Sequence, residues 1–491
     1  MAQIRFVDTT IRDGHLSLWA NNMRTGMMLP IAHILDRAGF EAIECIYVDA
    51  RKIVRELKED PWERLRLLRQ HITETPLRVI TNRFGTFQRS PEVLWELQME
   101  CHARIGIRQA RISDDWNRPA RWREQVRVAR EVGIDPIINL IFSESPKHSD
   151  EYYAIRAREV AKLDVYRVCL KDPGGLLTPE RMRTLVPAIL ANVGDKYVEL
   201  HSHCTTGLGP LNALEAVKLG LRTVCVGVPP LANGTALPSV FNVCKNLRTM
   251  GHEPVVDEDS LHEVERHLTY VAQREGFPIG RPVEPDVGQY SHQVPGGMLS
   301  NLRHQLRLIG REDRYEAVLE ESGRVREDWG YPIMVTPLSQ FVGTQAAINV
   351  VVGERYKVVS DQAVELALGY WGGEEAINSM NPEVRQKILD LPRAREMAAN
   401  PPVEPGLSEI REQYGGPGVS DEELLLRFEI GQAEIDLMRS AGQPRPYVTD
   451  EPPLLMLLRE LADRGDRNFI RIQKEGVSIT LGKQAGLAPT S

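Results

Sequence analysis

Short apolar runs alternate with longer amphipathic stretches through the first half of the chain. The short runs are typical of buried strands, and the longer stretches repeat their apolar positions with a helical period. The predicted strands are Ile4–Asp8, Ala42–Tyr47, Leu77–Asn82, Ala110–Ile112, Pro136–Ile141, Val165–Lys171, Val198–Ser202 and Thr223–Gly227. Eight strands, each followed by a helix, predict a closed (β/α)8 barrel of the TIM type. An open doubly wound sheet is the alternative, but no G-x-G-x-x-G turn follows the first strand to favour it.

The alternation stops in the segment 253–300, where prolines cluster and where we expect a connection that leaves the barrel. Beyond it the pattern is helical, whereas residues 400–418 are rich in proline and glycine and predict a loop. The predicted helices of this part are Leu299–Leu308, Asp313–Asp328, Gln340–Val351, Asp361–Tyr370 and Asp421–Ser440. The pattern thus predicts a mostly α-helical C-terminal domain.

The last residues form a third unit in this prediction. Leu454–Asp463 has one apolar face, and two alternating segments flank Lys474-Glu475-Gly476 as in a hairpin. We therefore predict a barrel over residues 1–275, a helical domain over 276–450, and a helix–hairpin tail over 451–491 that could dock a carrier or another subunit.

Composition narrows the class of protein. The 491 residues have a formal net charge of −8 and no long basic run, which argues against a nucleic-acid surface. The start of the chain lacks the pattern of a signal peptide, and no stretch approaches the ~18 apolar residues of a membrane helix. The six cysteines are scattered without a CxxC pair, which suits a reducing cytoplasm.

Two histidines at the end of the seventh strand are the first candidate for chemistry. His201 and His203 are two residues apart in V-E-L-H-S-H-C-T-T-G, so on a strand both imidazoles point to the same side. Such a pair is half of a metal site. The alternative is two ordinary histidines, one at the strand end and one at the surface.

Other polar residues fall at the same end of the predicted barrel, where the chemistry of this fold is located. Asp8 ends the first strand, Arg83 follows the third, Lys171 ends the sixth, and Thr235 lies in the loop after the eighth. From the residues alone, Lys171 would more often be an ion-pair partner of a barrel carboxylate such as Asp8, because lysine is not an ordinary metal ligand. Arg83 would form a rim salt bridge, and Thr235 would bond to nearby backbone.

Several motifs, in order, resemble the carboxyltransferase component of biotin-dependent enzymes, such as the oxaloacetate decarboxylase α subunit and the carboxyltransferase part of pyruvate carboxylase. They are D-T-T-I-R-D-G-H-L-S-L-W-A (8–20), E-D-P-W-E-R-L-R (59–66), L-K-D-P-G-G-L-L-T-P (170–179), H-S-H-C-T-T-G (201–207), P-G-G-M-L-S-N-L (295–302) and V-T-P-L-S-Q-F-V-G-T-Q-A (335–346). The resemblance covers roughly residues 4–440.

The resemblance implies a catalytic divalent metal, usually zinc, manganese or cobalt, with Asp8, Lys171, His201 and His203 as ligands. Lys171 would be carbamylated by CO2, which turns a cation into an anionic oxygen donor and requires a neutral amine. The resemblance also implies that Arg83 binds the carboxylate of the acceptor and that Thr235 relays a proton between biotin and the enolate carbon.

The same resemblance implies partners. No Met-Lys-Met biotinylation site and no ATP-binding glycine loop is visible. We therefore expect biotin on a separate carrier, the biotin carboxyl carrier protein, a separate biotin carboxylase subunit, a small-molecule acceptor that is by default a 2-oxo acid (pyruvate or oxaloacetate), and a homodimer.

Five departures from the family pattern cluster at the predicted mouth. Leu16 replaces a glutamine, Ile46–Asp49 replaces W-G-G-A, N-R-F-G-T (82–86) replaces R-G-x-N, Cys204 replaces an aspartate, and A-L-P (236–238) replaces S-Q-P. They predict an altered acceptor pocket. Two other functions stay open: a metal-dependent aldolase or lyase of the related barrel group, and a non-catalytic subunit of a biotin carboxylase complex.

Overall fold

Eight parallel strands close into a barrel in the computed structural model. It describes residues 2–45, 50–81, 90–295, 299, 302–303, 306–416, 418–444, 447, 469–474 and 477–482. The strands are β1 (Gln3–Asp8), β2 (Ala42–Glu44), β3 (Leu77–Thr81), β4 (Gln109–Ile112), β5 (Asp135–Ile141), β6 (Arg167–Asp172), β7 (Val198–Ser202) and β8 (Thr223–Val226). Each pairs with the next, and β1 pairs with both β2 and β8, so the sheet closes. The barrel prediction is confirmed.

Helices follow the strands and surround the barrel. They are α1 (His15–Leu18), α2 (Thr25–Arg37), α3 (Ala50–Lys52), α4 (Pro61–His71), α5 (Glu92–Ile105), α6 (Pro119–Glu131), α7 (Asp150–Ala161), α8 (Pro179–Leu190), α9 (Gly209–Lys218), α10 (Val240–Thr249) and α11 (Glu258–Glu275). Sequence explains several of their starts: Asp60, Ser149 and Thr178 each accept a backbone N–H of the first turn. A short strand, β9 (Glu253–Pro254), adds to the edge of β1.

The interior of the barrel is charged. Arg78 on β3 donates to Glu199 on β7 over 2.6 Å, and Arg111 on β4 donates to Glu44 on β2 over 2.5 Å. All four side chains are fully buried. Contacts between strands that are not neighbours can be made only across the lumen, so these pairs fill the space that branched aliphatic side chains usually occupy in this fold.

The C-terminal part is helical, as predicted, around an apolar core that includes Trp329, Phe341 and Trp371. Its helices are α12 (Gln289–His292), α13 (Tyr315–Asp328), α14 (Leu338–Val352), α15 (Asp361–Ala367), α16 (Gly373–Ser379), α17 (Pro382–Leu389), α18 (Pro392–Ala399), α19 (Leu407–Tyr414), α20 (Asp421–Glu429) and α21 (Gln432–Ser440). Most of the predicted helix Leu299–Leu308 lies outside the described residues.

Three local predictions for this half were wrong. The segment 253–300 contains the helix α11, whose first turn is capped by Asp257. The Pro- and Gly-rich stretch 400–418 contains α19. The helix expected over Asp421–Ser440 is two helices, because Gly431 between them has a φ of +95°, a left-handed conformation that ends a helix.

A strap formed by residues 277–285 crosses the loops at the C-terminal end of the barrel. The indole of Trp19 donates to the carbonyl of Pro278 over 2.9 Å and packs on Phe277. Backbone N–H groups of Gly280 and Gly234 bond to Pro230 and to the strap residue Arg281, respectively. The strap therefore holds the loops after β1 and β8 together.

Residues Met1–Pro446 form one compact unit and Tyr447–Ser491 a second. In the second, β10 (Phe469–Lys474) and β11 (Val477–Gly482) pair antiparallel, with Lys474 opposite Val477, which confirms the hairpin. The helix predicted at Leu454–Asp463 lies outside the described residues, and the domain boundaries at 275 and 450 stay predictions. Among the described helices, none has the length and apolarity needed to cross a membrane.

Candidate metal centre

A π-helical turn carries the residues that follow β1. The turn spans Thr10–Gly14 and continues into α1. It is tied to the end of β8, because Thr9 donates to the carbonyl of Val226 over 2.8 Å and Thr10 accepts the backbone N–H of Val228 over 2.9 Å. Turns of this kind are often found at functional sites. Here the turn places the carboxylate of Asp13 over the mouth of the barrel.

His201, His203 and Asp13 converge at that mouth. The Nε2 atoms of the two imidazoles are 3.3 Å apart, and they lie 3.3 Å and 3.5 Å from the two carboxylate oxygens of Asp13. The three residues are buried, and their ligand atoms all lie within 4.8 Å of one another. This geometry agrees with the prediction that the two histidines face one point.

Asp8 does not join this group. In β1 its Cα pairs with Ile43 and Val226, whereas its neighbour Val7 pairs with Ala42, the residue on the same side of β2 as Glu44. Since successive side chains alternate and Glu44 faces the lumen, Asp8 faces the helices. There it accepts the hydroxyl of Thr10 over 2.5 Å. The structure therefore brings Asp13, and not Asp8, together with the two histidines.

Lys171 stands beside His201. The two residues are Cα partners in the β6–β7 ladder, so their side chains point to the same side of the sheet. Lys171 is partly buried, and within the described parts of the chain its ammonium has no hydrogen-bond or ion-pair partner. Burial, then the nearby charges of Arg111 and Arg12, lower its pKa to about 8. The alternative of an ion pair with Asp8 is not what the structure shows.

Electrostatics favour a carboxylate and a neutral imidazole at this point. Burial alone would raise the pKa of Asp13, but Arg12, at 2.7 Å, and the two histidines hold it well below its ordinary value. Burial and the charge of Arg111 lower the pKa of His201 well below its ordinary value. Asp13 is thus an anion and His201 a neutral ring near pH 7.

The hydrogen bonds of the two rings define their tautomers. His203 donates from Nδ1 to the carbonyl of Thr235 over 2.7 Å, so Nε2 is the nitrogen that faces Asp13. Arg111 Nη1 lies 2.9 Å from Nδ1 of His201, and a guanidinium only donates. The N–H of His201 is therefore on Nε2. A cation could bind Nε2 only if this proton moved to Nδ1 and Arg111 gave up its hydrogen bond there.

A second hydrogen-bonded group connects Asp13 to the loop after β8. Ser17 donates its hydroxyl to Asp13 over 2.8 Å, and its backbone carbonyl accepts the hydroxyl of Thr235 over 2.8 Å. Thr235 thus lies at the mouth, one hydrogen bond from His203 through its carbonyl and two from Asp13 through Ser17. This location agrees with the predicted proximity of Thr235 to the site.

The loop K-D-P-G-G after β6 packs directly on the histidine strand. Gly175 has a φ of +65°, and a Cβ there would come within 2.8 Å of the carbonyl of His203. Asp172 holds the loop by accepting the backbone N–H groups of Leu176 and Leu177 over 2.8 Å and 3.0 Å. Only glycine allows this approach, which keeps Lys171 and His203 on adjoining, rigid backbone.

Some predicted residues cannot be placed. Arg83 and the departures Ile46–Asp49 and 82–86 lie outside the described residues. Leu16, which is half-buried, lies in α1, three residues after Asp13.

The donor set suits a divalent metal. Two imidazole nitrogens and one carboxylate match the nitrogen and oxygen ligands of zinc, manganese and cobalt. The residues that reasoning from the sequence missed are Asp13, Arg12, Glu44 and Arg111. The available signal for Asp13 was the R-D-G motif that follows the first strand. A residue in a turn can reach the mouth of the barrel whichever way the last side chain of the strand faces.

Comparison with known proteins gives the family. Residues 3–268 match a family model described as HMGL-like, and residues 290–429 match one described as Conserved carboxylase domain. The chain is 36% identical over 396 residues to a pyruvate carboxylase subunit of Methanocaldococcus jannaschii, covering 79% of this chain and 68% of that protein. The chain belongs to the carboxyltransferase family of biotin-dependent enzymes.

Other members show how broad this carboxyltransferase family is. The 2-oxoglutarate carboxylase large subunit of Hydrogenobacter thermophilus is 28% identical over 91% of this chain and 70% of its own length. The carboxyl transferase domain of Rhizobium etli pyruvate carboxylase, solved with pyruvate, superposes with a TM-score of 0.79 at 23% identity over 90% of this chain and 77% of that one. The latter likeness supports the fold.

Proposed function

We propose that this carboxyltransferase moves a carboxyl group between carboxybiotin and a small 2-oxo acid with the help of a divalent metal. The observation that carries the proposal is the convergence of His201, His203 and Asp13 at the mouth, with Lys171 in register beside them. The names of the two relatives, a pyruvate carboxylase subunit and a 2-oxoglutarate carboxylase subunit, support a 2-oxo acid as the acceptor.

In this proposal Asp13, His201 and His203 hold the cation, and Asp13 takes the place that the sequence suggested for Asp8. Lys171 is the fourth ligand after its neutral amine adds to CO2, a reaction that forms one N–C bond and releases one proton. The lowered pKa of Lys171 supports it, because the neutral amine is available near physiological pH. A bound cation would act as a Lewis acid on the keto oxygen of the acceptor.

Thr235 is the proposed proton relay. In the resting structure its hydroxyl proton is donated to the carbonyl of Ser17, so the oxygen keeps a lone pair for a proton from the acceptor carbon. Thr235 can pass a proton on to biotin only if its hydroxyl stops donating to the carbonyl of Ser17 and donates to biotin instead. Arg83 stays a predicted clamp for the acceptor carboxylate.

Biotin would come to this site on a carrier protein charged by a biotin carboxylase subunit. The Methanocaldococcus relative is named as one subunit of a pyruvate carboxylase, which supports an enzyme divided over several chains. The predicted homodimer and cytoplasmic location stay predictions.

The decisive experiment measures biotin-dependent decarboxylation of oxaloacetate by the purified chain, together with its metal content. We expect about one divalent metal per chain, and turnover that requires both the metal and free biotin as carboxyl acceptor. Protein without metal, or turnover of a 2-oxo acid by carbon–carbon cleavage that is indifferent to biotin, would overturn the proposal; the second result would favour a lyase.

A further inference from the structure

A short segment of the helical region packs against the C-terminal end of β5. This wall segment, residues 331–335, contributes Ile333 and Val335 to an apolar cluster with Ile141, the last residue of the strand. All three side chains are buried. Their cluster is separate from the apolar core around Trp329, so the wall segment is not simply an extension of that core.

Ile141 connects the wall segment to the candidate centre. Its Cα partner in the β5–β6 ladder is Lys171, so the two side chains point to the same side of the sheet and lie next to each other. Lys171 therefore stands between an imidazole on β7, that of His201, and an aliphatic side chain on β5. Because Ile333 and Val335 pack on Ile141, the helical region completes the side of the mouth on which Lys171 lies.

The backbone turns sharply to bring the wall segment back to the barrel. Gly330 and Tyr331, directly after α13, have φ angles of +76° and +56°. A left-handed conformation is uncommon for a side chain as bulky as tyrosine. Two residues further on, the backbone N–H of Val335 bonds to the carbonyl of Ile333 over 2.8 Å. Backbone of this kind persists only where surrounding contacts hold it in place.

Arg326 on α13 provides such contacts. Its side chain is buried and donates from Nε to the carbonyl of Pro332 in the wall segment over 3.3 Å. From Nη2 it donates to the hydroxyl of Ser143 and to the carbonyl of Glu144, each over 2.9 Å. Ser143 follows Ile141 by two residues, so one guanidinium ties the wall segment to the turn directly after β5.

The choice of an arginine for this contact is costly. The three acceptors of Arg326 are neutral oxygens, two carbonyls and one hydroxyl, and a buried cation is poorly compensated by neutral groups. Its planar fork of donors, however, can span acceptors on two separate chain segments at once. The cost therefore indicates that the position of the wall segment relative to β5 matters.

An aliphatic wall has a chemical consequence for the modification proposed for Lys171. A lysine carbamate decomposes when its N–C bond breaks, the nitrogen takes up one proton that water supplies, and CO2 leaves. Apolar surroundings offer no hydrogen-bond partners that would hold water beside that nitrogen. Exclusion of water from a site protects labile groups from such side reactions.

We propose that the wall segment, through Ile333 and Val335, protects the carbamate of Lys171 from water, and that Arg326 is the positioning residue that holds the segment against β5. The inference rests on the carbamylation in the proposed function. It gives the helical region a part in the site that is distinct from its stabilising core.

The test follows the loss of carbamate from the full chain. Protein with Zn²⁺ is equilibrated with radiolabelled bicarbonate and diluted into unlabelled bicarbonate, and the label that stays bound is measured over time by rapid gel filtration. Ile333→Ala should lose its label on the order of tenfold faster than the unmodified chain. The matched control is Ile388→Ala, which truncates an equally buried isoleucine in the helical core. Both variants should lower the melting temperature, but the control should lose its label within about twofold of the unmodified rate.

Variants of the anchor test the second half of the inference. Arg326→Met, which cannot donate, should release label as fast as Ile333→Ala, and Arg326→Lys, which keeps the charge and a donor, should fall between it and the unmodified chain. Release from both Arg326 variants at the unmodified rate would overturn the role of Arg326. If Ile333→Ala does not fold, Ile333→Val is compared with Ile388→Val. Equal release rates of the Ile333 and Ile388 variants overturn the protective role of the wall segment. An unmodified chain that takes up no label refutes instead the carbamylation on which the inference rests.

Discussion

The barrel and the helical C-terminal region have cores of opposite chemistry. In the barrel, arginine and glutamate pairs such as Arg78–Glu199 and Arg111–Glu44 cross the lumen with no exposure to solvent. In the helical region, Trp329, Phe341 and Trp371 pack in an apolar cluster. Buried ion pairs are weak evidence for stability, because their desolvation is costly, whereas buried aromatic area is strongly stabilising. The comparison suggests that the barrel interior serves the site and that the helical core serves stability.

The largest effect should separate Asp13 from Asp8. In the proposed centre Asp13 is the anionic ligand, so Asp13→Asn should abolish metal binding and lower turnover roughly a thousandfold or more, because Lewis-acid polarisation is worth several kcal/mol. Asp8→Asn should keep the metal, since Asp8 faces the helices and binds Thr10. Elemental analysis and kcat of both variants decide between them. Metal loss in Asp8→Asn with retention in Asp13→Asn would restore the ligand set expected from the sequence.

The contrast between Asp8 and Asp13 shows how much of the candidate site could be predicted from the sequence alone. The short apolar runs and the helical repeat of apolar residues were enough to predict the barrel, because its strands are apolar on their outer face and its longer helices are amphipathic. The two same-facing histidines followed from strand alternation, and the place of Lys171 at the mouth followed from its position at the end of a barrel strand. Asp13 did not follow from alternation, because its position depends on a π-helical turn, for which the R-D-G after the first strand was the only signal recognised. Nor did Glu44 and Arg111, which are 67 residues apart in sequence and meet only across the closed lumen.

A substitution in the apolar core of the helical region tests whether that core contributes to stability and not to the site. Trp329 is fully buried in that core, so Trp329→Ala should lower the free energy of unfolding by about 3–5 kcal/mol through lost contacts and the cavity left behind. Trp329→Phe, which keeps an aromatic ring, should cost less. Denaturant unfolding measures both, and Co²⁺ affinity of the folded variants should match that of the unmodified chain. A weakened metal site in folded Trp329→Ala would contradict the division of roles between the two cores.

A smaller effect concerns pH. Only the neutral amine of Lys171 can add CO2, and its pKa of about 8 means that the ammonium dominates below this pH and the neutral form above it. Metal loading of apoprotein in bicarbonate buffer should therefore rise by up to about tenfold per pH unit below pH 8 and level off above it.

The same shift affects the stability of the apoprotein. Because the folded-state pKa of Lys171 lies below the ordinary 10.5, the folded apoprotein binds fewer protons than the unfolded chain between these two values. Its free energy of unfolding should therefore rise with pH across that window.

The control for this pH dependence is Lys171→Glu. Its carboxylate supplies an anionic oxygen without CO2, so its metal loading should be independent of bicarbonate. Equilibrium dialysis against Zn²⁺ with and without bicarbonate, over a pH series, measures both proteins. Loading of the unmodified chain that ignores bicarbonate and pH would show that Lys171 is not carbamylated.

The smallest predicted effect is in the acceptor pocket, at Leu16. This side chain is half-buried in α1, three residues after Asp13. The family resemblance predicts a glutamine here, so the proposed pocket would lack one donor and one acceptor for a 2-oxo acid. Leu16→Gln should restore about 1 kcal/mol of binding, the net contribution of one hydrogen bond, and raise kcat/KM for pyruvate or oxaloacetate roughly fivefold. Leu16→Met has a similar length without the amide and should leave kcat/KM unchanged, which separates hydrogen bonding from shape.

If the unmodified protein already turns over oxaloacetate as fast as any larger or more apolar 2-oxo acid, and Leu16→Gln has no effect, then the pocket is not altered in the way that Leu16 indicates. A selective gain for the small acids would instead show that Leu16, on the short helix that follows Asp13, sets the preference for the acceptor.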